Sequence, residues 1–211
     1  NSQKNSIIVK PPKNKKELKI NETWLSKILM PILSFLFKIV YRPHIKGNEN
    51  IPQEGRIILA GNHIHILDFM MLIVSTKRKI IFLGKDELNK GKWRYIFNKM
   101  PMIPVDRTTI DIDSLKMSLK ELKAENAIAI FPEGRVKLSN EITEPFKTGA
   151  TSMAIATDTK IVPCAITGNY NIIGKKIKIT IGKPYTVKTK DQKLESEKLR
   201  EKIHEMIKEN S

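Results

Sequence analysis

From Arg56 onward, short apolar runs alternate with longer segments in which apolar residues recur every three or four positions. Buried strands give the first pattern and amphipathic helices the second, so their alternation predicts an α/β domain. The strand segments are Ile57–Ala60, Ile80–Leu83, Met102–Val105, Ala127–Phe131 and Ile161–Ile166. Between them lie helix segments near Phe69–Ser75, Glu87–Asn98, Asp111–Glu125 and Thr148–Thr157. In the third helix Ile112, Leu115, Leu119 and Leu122 share one face, as core packing requires. Ile177, Ile179 and Ile181 alternate with Lys178 and Thr180, which predicts a half-buried edge strand. A closing helix over Asp191–Lys208 carries Leu199, Ile203, Met206 and Ile207 on one side. The fold expected is one domain over 46–211, with a mixed, largely parallel central sheet flanked by helices.

Ahead of this domain, in a segment spanning 23–45, Trp24 to Tyr41 form an 18-residue apolar run, WLSKILMPILSFLFKIVY. Its length is at the short limit for a membrane-crossing helix of ~20 residues. Thr23, Lys27, Ser34 and Lys38 are spaced by four, seven and four, which puts them on one narrow stripe of a helix. Trp24, Leu25, Ile28, Leu29, Ile32, Leu33 and Leu36 supply the apolar remainder. Three placements fit such a helix: in the plane of a membrane interface, across the bilayer, or docked on the protein core. Two lysines on one stripe beside a wide apolar face suit the interface best. Pro31 is placed to kink or divide the helix. Residues 1–22 are polar and lysine-rich with Pro11 and Pro12, the composition of a flexible basic arm.

Composition narrows the partners. A chain of 211 residues suits about one domain, and 40% apolar with 28% charged residues excludes both a disordered chain and a polytopic membrane protein. Lysine and arginine exceed aspartate and glutamate by 38 − 22 = 16, a bias toward an anionic partner such as phospholipid, nucleic acid or a phosphorylated substrate. Nucleic acid fits poorly: there is no zinc finger or aromatic-interleaved basic motif, and aromatics are 6%. Cys164 is the single cysteine, which excludes an intrachain disulfide and a multi-cysteine metal site, and mid-strand it reads as structural. The setting expected is reducing and cytosol-facing.

Three segments at strand ends carry candidate chemistry. Asn62-His63-Ile64-His65-Ile66-Leu67-Asp68 follows the first strand directly. Residues five apart on a helix point about 140° apart, so His63 can meet Asp68 only from a preceding turn. There, Asp68 at the start of the helix can accept from one imidazole nitrogen and leave the other as a base. Alone, the segment equally suits a capping turn. His65 also makes a His-x-His pair of the kind found in metal hydrolases, but His44 and His204 are isolated, so no metal is expected. Serine-hydrolase and Walker motifs are absent. Met102-Ile103-Pro104-Val105-Asp106-Arg107 ends a strand in a cation able to hold phosphate through two donors, or to pair with Asp106. In Phe131-Pro132-Glu133-Gly134-Arg135, the proline and glycine fix a turn that presents Glu133 at the mouth of the sheet.

In this order the segments resemble the lysophosphatidic acid acyltransferase family, the 1-acylglycerol-3-phosphate O-acyltransferases. Asn62, His63 and Asp68 resemble its first block, Ile103 to Arg107 its second and Phe131 to Gly134 its third. Pro145 to Ala150 and Ile161 to Pro163 continue the resemblance, which covers about Gly47 to Lys183. The chain departs from the family at His65, where serine is frequent, at Pro101, where glycine is usual, and at Arg135-Val136-Lys137, where Thr-Arg-Ser is usual. These departures fall on the acceptor pocket and bear on which head group is accepted.

The resemblance implies that His63, oriented by Asp68, takes the proton of a lysolipid hydroxyl as it attacks an acyl thioester. Arg107 with Lys85 would grip the acceptor phosphate, Glu133 and Gly134 would place the glycerol, and Arg135 would be a second phosphate ligand. The donor would be acyl-coenzyme A or acyl-acyl carrier protein, with no cofactor, and the product phosphatidic acid for phospholipid synthesis. The enzyme would sit on the cytoplasmic face of a phospholipid membrane. Two alternatives stand beside this reading: an acyltransferase of the same superfamily for another lysolipid or acceptor, and a non-catalytic basic module that binds membrane.

Overall fold

The computed structural model describes residues 24–85, 100–106, 111–139, 141–171 and 176–210, with side chains from Leu29 onward. The arm over 1–22, the predicted helix Glu87–Asn98, Arg107, and the side chains of Trp24, Leu25 and Ile28 lie outside the described residues.

Among the described residues, seven strands form one sheet: β1 (His44–Lys46), β2 (Ile57–Gly61), β3 (Ile80–Lys85), β4 (Met102–Val105), β5 (Ala127–Ile130), β6 (Lys160–Thr167) and β7 (Lys178–Ile181). Their order is β1-β7-β6-β2-β5-β3-β4. Every neighbouring pair from β6 to β4 is parallel, while β7 is antiparallel to β6 and β1 runs parallel to β7. The described helices are α1 (Trp24–Tyr41), α2 (Asp68–Ser75), α3 (Ile112–Lys123), α4 (Gly149–Thr157) and α5 (Gln192–Asn210).

Strand alternation sorts the core into two layers. Ile57 and Leu59 of β2 face the layer that holds α1 and α2, whereas Ile58 and Ala60 face α3, α4 and α5. With both faces covered, the central strands are apolar at almost every position, which is why they read as runs. Each fully buried isoleucine or leucine contributes about 1.5–3 kcal/mol relative to exposure.

The segment around Ile177–Ile181 corrects an expectation. It alternates as predicted, with Ile179 and Ile181 buried, but β1 covers its outer side, so β7 is not an edge. β1 escaped notice because His44-Ile45-Lys46 is three residues long with one apolar side chain.

Helix α1 is continuous through Pro31. Phe37 is buried, and Met30, Leu33 and Tyr41, seven, four and four residues from it, pack on the same layer. The helix therefore docks on the domain, as one of the three placements held. It also leaves an apolar outer face: Ile32, Phe35, Leu36, Ile39 and Val40 are each between 42% and 64% exposed. No helix among the described residues is long and apolar enough to cross a membrane.

The connections set the position of the site. From β2 the chain passes through α2 on one face toward β3; from β5 it passes through α4 on the other face toward β6. β2 and β5 are adjacent, so the crossovers diverge between them. A crevice outside their C-terminal ends is the usual place for a ligand in such a sheet.

Candidate active site

β2 ends where Asn62 bridges to β6. The buried Asn62 amide donates from Nδ2 to the Ile166 carbonyl at 2.9 Å and accepts the Ile166 N–H on Oδ1 at 2.7 Å. These bonds fix where the strand stops and the turn begins. Asp68 then opens α2 with no exposed surface and gathers the turn around its carboxylate. Oδ2 accepts His63 Nδ1 at 2.8 Å, the Ile64 N–H at 2.7 Å and the His65 N–H at 2.8 Å. Both backbone donors lie in the turn ahead of α2, and Leu67 at the N-cap makes no side-chain cap bond, so Asp68 ties the turn to the His63 ring rather than capping the helix.

Because the backbone N–H groups can only donate, Oδ2 is an acceptor, and His63 presents Nδ1–H to it. The Nε2 lone pair is then the basic position of the neutral ring. The ring stacks on Phe131 at 4.4 Å and 12°, and the side chain is 13% exposed. One face of the ring is thus held against Phe131.

The third segment closes on the first. Glu133 Oε1 accepts the His63 backbone N–H at 3.1 Å, and the Lys137 N–H donates to the His63 carbonyl at 2.7 Å. Gly134 takes φ 75°, a conformation that disfavours side chains, and its N–H closes the turn on the Phe131 carbonyl at 2.9 Å. Glu133 is buried, and burial pushes its carboxyl up to about 7 against the opposing hydrogen bond from His63. Its Oε2 is buried without a hydrogen-bond partner among the described residues.

Other candidate residues are placed differently. Arg135 is exposed and pairs with Glu144 at 3.3 Å. Lys85 is exposed at the end of β3, in register with Val105 of β4, on the same sheet edge but two strands from β2. Asp106 and Asp111 bracket Arg107 in the sequence, and the Asp106 N–H donates to Asp111 Oδ2 at 2.7 Å. Cys164 is fully buried, which pushes its thiol up and away from reactivity. Among the described residues, no three His, Cys, Asp or Glu are grouped as a metal site. His65 instead lays its ring on Tyr170 at 4.6 Å.

Tyr170 itself was missed by sequence reasoning. Its hydroxyl donates to Asp68 Oδ1 at 2.6 Å, across 102 positions of sequence. No local pattern marks such a contact.

Fold and site together define an α/β protein with a histidine–carboxylate pair, suited to moving a proton, at the divergence point of a parallel sheet. The model of the acyltransferase family matches residues 42–167, and the chain belongs to that family. A 1-acyl-sn-glycerol-3-phosphate acyltransferase of Borreliella burgdorferi is 29% identical over 136 residues, covering 63% of this chain and 54% of the relative. One from Bacillus subtilis is 31% identical over 148 residues, covering 66% of this chain and 72% of the relative. The chain thus spans about half the length of the first and nearly three quarters of the second. The crystal structure of the 1-acyl-sn-glycerophosphate acyltransferase PlsC from Thermotoga maritima shares the fold, with a TM-score of 0.70 at 19% identity over 87% of this chain and 80% of that one.

Proposed function

We propose that this protein transfers a fatty acyl group from an acyl thioester to the free sn-2 hydroxyl of 1-acylglycerol-3-phosphate, giving phosphatidic acid. The observation that carries the reading is the His63–Asp68 bond at 2.8 Å, set beside the buried Glu133 turn. The activity named for the Borreliella and Bacillus relatives supports the choice of acceptor.

His63 Nε2 takes the hydroxyl proton as the oxygen attacks the thioester carbonyl, and Asp68 stabilises the imidazolium that forms. The tetrahedral intermediate collapses by breaking the C–S bond, and the thiolate recovers the proton from His63. No acyl-enzyme is needed, because the thioester is already activated and the protein has only to align the reactants. Glu133 and Gly134 place the acceptor glycerol, and Arg107 and Lys85 hold its phosphate. Arg135, released from Glu144, is the further phosphate ligand.

The lipid arrives from a membrane. An apolar groove of about 360 Å³ lies between α1 and the turn that carries His63, lined by Leu36, Val40, Ile66 and Leu67 among others. It joins the outer face of α1 to Ile66 and Leu67, in the turn between His63 and Asp68, which supports a helix lying in the plane of the membrane, on its cytoplasmic face in this reading. The donor is acyl-coenzyme A or acyl-acyl carrier protein.

A matrix assay of purified protein with both donor types and several lysolipids tests the reading. Thioester-dependent formation of phosphatidic acid, lost in His63→Ala, is expected. Absence of transfer to every lysolipid from either donor would overturn it.

A further inference from the structure

Gly168 turns the chain after β6 at φ 90°, and a Cβ there would stand 2.4 Å from the Lys176 carbonyl oxygen. The turn accepts only glycine, and it is followed two positions later by Tyr170. The Tyr170 ring is enclosed by three aromatic neighbours: His65 at 4.6 Å, Tyr41 at 5.7 Å edge-on and Phe37 at 6.3 Å. Two of these belong to α1 and one to the turn of the site. The hydroxyl end reaches the buried Asp68 carboxylate at Oδ1.

The other donors to Asp68 all meet Oδ2. Three donors on one oxygen fix that atom, but the carboxylate plane turns on a soft terminal torsion. A donor on Oδ1 removes that freedom. We infer that Tyr170 is a positioning residue: its hydroxyl fixes the plane of the Asp68 carboxylate and so keeps Oδ2 aimed at His63 Nδ1. Burial, reinforced by the Asp68 charge, pushes the phenol well above its ordinary range, so the hydroxyl remains a donor at any working pH. Tyr170 lies three residues beyond the segment 42–167 that the family model matches. Its contacts with Phe37 and Tyr41 also make the seating of α1 part of the support of the pair.

The inference rests on the acyltransferase reading, and the experiment separates the two. Wild type, Tyr170→Phe, Asp68→Asn and the double variant are compared in acyl transfer at high enzyme concentration. The His63 ring N–H is followed in parallel by proton NMR and assigned by its loss in His63→Gln. Tyr170→Phe keeps the ring and its packing. It is expected to lower kcat by about tenfold or more, the scale of one hydrogen bond to a charged group, with KM for both substrates within about twofold. In the Asp68→Asn background the same change is expected to alter kcat by less than about twofold, because the group it acts through is gone. The His63 ring resonance is expected to move in Tyr170→Phe.

Wild-type kcat in a folded Tyr170→Phe protein would overturn the inference. So would an equal loss in the Asp68→Asn background, since a purely structural tyrosine acts independently of the carboxylate. If the wild type transfers no acyl group, the functional reading fails, and the resonance decides the positioning role alone: moved supports it, unmoved overturns it.

Discussion

The Glu133 carboxylate holds the His63 backbone N–H on Oε1 at 3.1 Å and leaves Oε2 buried without a partner among the described residues. One oxygen shapes the turn of the proposed base, and the other is an unmet acceptor beside it.

This arrangement makes stability depend on pH in a defined direction. Burial raises the Glu133 carboxyl from 4.5 to about 7. A carboxyl raised by folding contributes stability that is fully present below its unfolded value and is lost as pH rises through about 7. Glu133→Gln removes the titration. Its melting temperature should therefore lie close to that of wild type near pH 5 and rise above it by about pH 8. A difference that stays constant over that range would show that Glu133 does not titrate there.

Loss of the proposed base should act on turnover rather than folding. His63→Ala is expected to lower kcat by about 10²- to 10⁴-fold with little change in melting temperature. Asp68→Asn should be comparably severe, because an amide can turn only one oxygen toward donors that now approach both sides of the carboxylate. Near-normal turnover in folded His63→Ala would remove the residue from the mechanism. Chelators should leave the wild type unaffected, and inhibition by them would point to a metal.

Asn62 precedes His63 in the first motif, yet its geometry assigns it to the frame. Both amide ends are spent on Ile166 in a buried setting. Asn62→Ala leaves two buried backbone groups unpaired, at about 1–3 kcal/mol for each such group. A clear drop in melting temperature is expected together with a lower kcat, since the turn carrying His63 starts from this residue. An unchanged melting temperature with the same loss of turnover would place Asn62 among the reacting groups instead.

The legibility of this protein in its sequence follows from range. Strands buried on both faces announce themselves as apolar runs, so β2, β3, β4, β5 and β6 were all readable. The His63–Asp68 pairing was readable because it spans five positions and one turn. The short β1 was not, because a three-residue strand carries too little pattern, and β7 was misjudged as an edge for want of it. The Asn62–Ile166 bridge and the Tyr170–Asp68 bond join residues over a hundred positions apart, and only the folded sheet brings them together. The apolar run of α1 showed a wide apolar face but not which part of it the domain covers. Leu33 packs inward, and Phe35, Ile39 and Val40 extend the outer face beyond Ile32 and Leu36.

Phosphate recognition is expected to separate from acyl-donor recognition. Arg107→Ala should mainly raise KM for the phosphorylated acceptor, with about 1.5–3 kcal/mol lost if one charged hydrogen bond is removed. Lys85→Ala, on the neighbouring strand of the same edge, should act in the same direction and less. Steady-state kinetics with each substrate varied in turn decide the matter. Equal changes in both KM values would assign Arg107 to the fold or to the donor.

The two faces of α1 should respond to substitution in opposite ways. Phe35 is 64% exposed and Ile39 52%, whereas Phe37 is 7% exposed against the core. Phe35→Glu with Ile39→Glu places charges only where solvent or lipid meets the helix. The double variant should lose binding to anionic vesicles, keep its melting temperature, and still use a water-soluble short-chain acceptor. Phe37→Ala empties a core position, and a cost of about 3–5 kcal/mol is expected whether or not vesicles are present. Salt should loosen wild-type binding without abolishing it, because ions screen the lysines but not the apolar contact. Vesicle flotation and thermal melts on the three proteins provide the measurements. If the outer-face variant floats with vesicles as wild type does, the outer face of α1 does not bind the membrane and the lipid reaches His63 by another route.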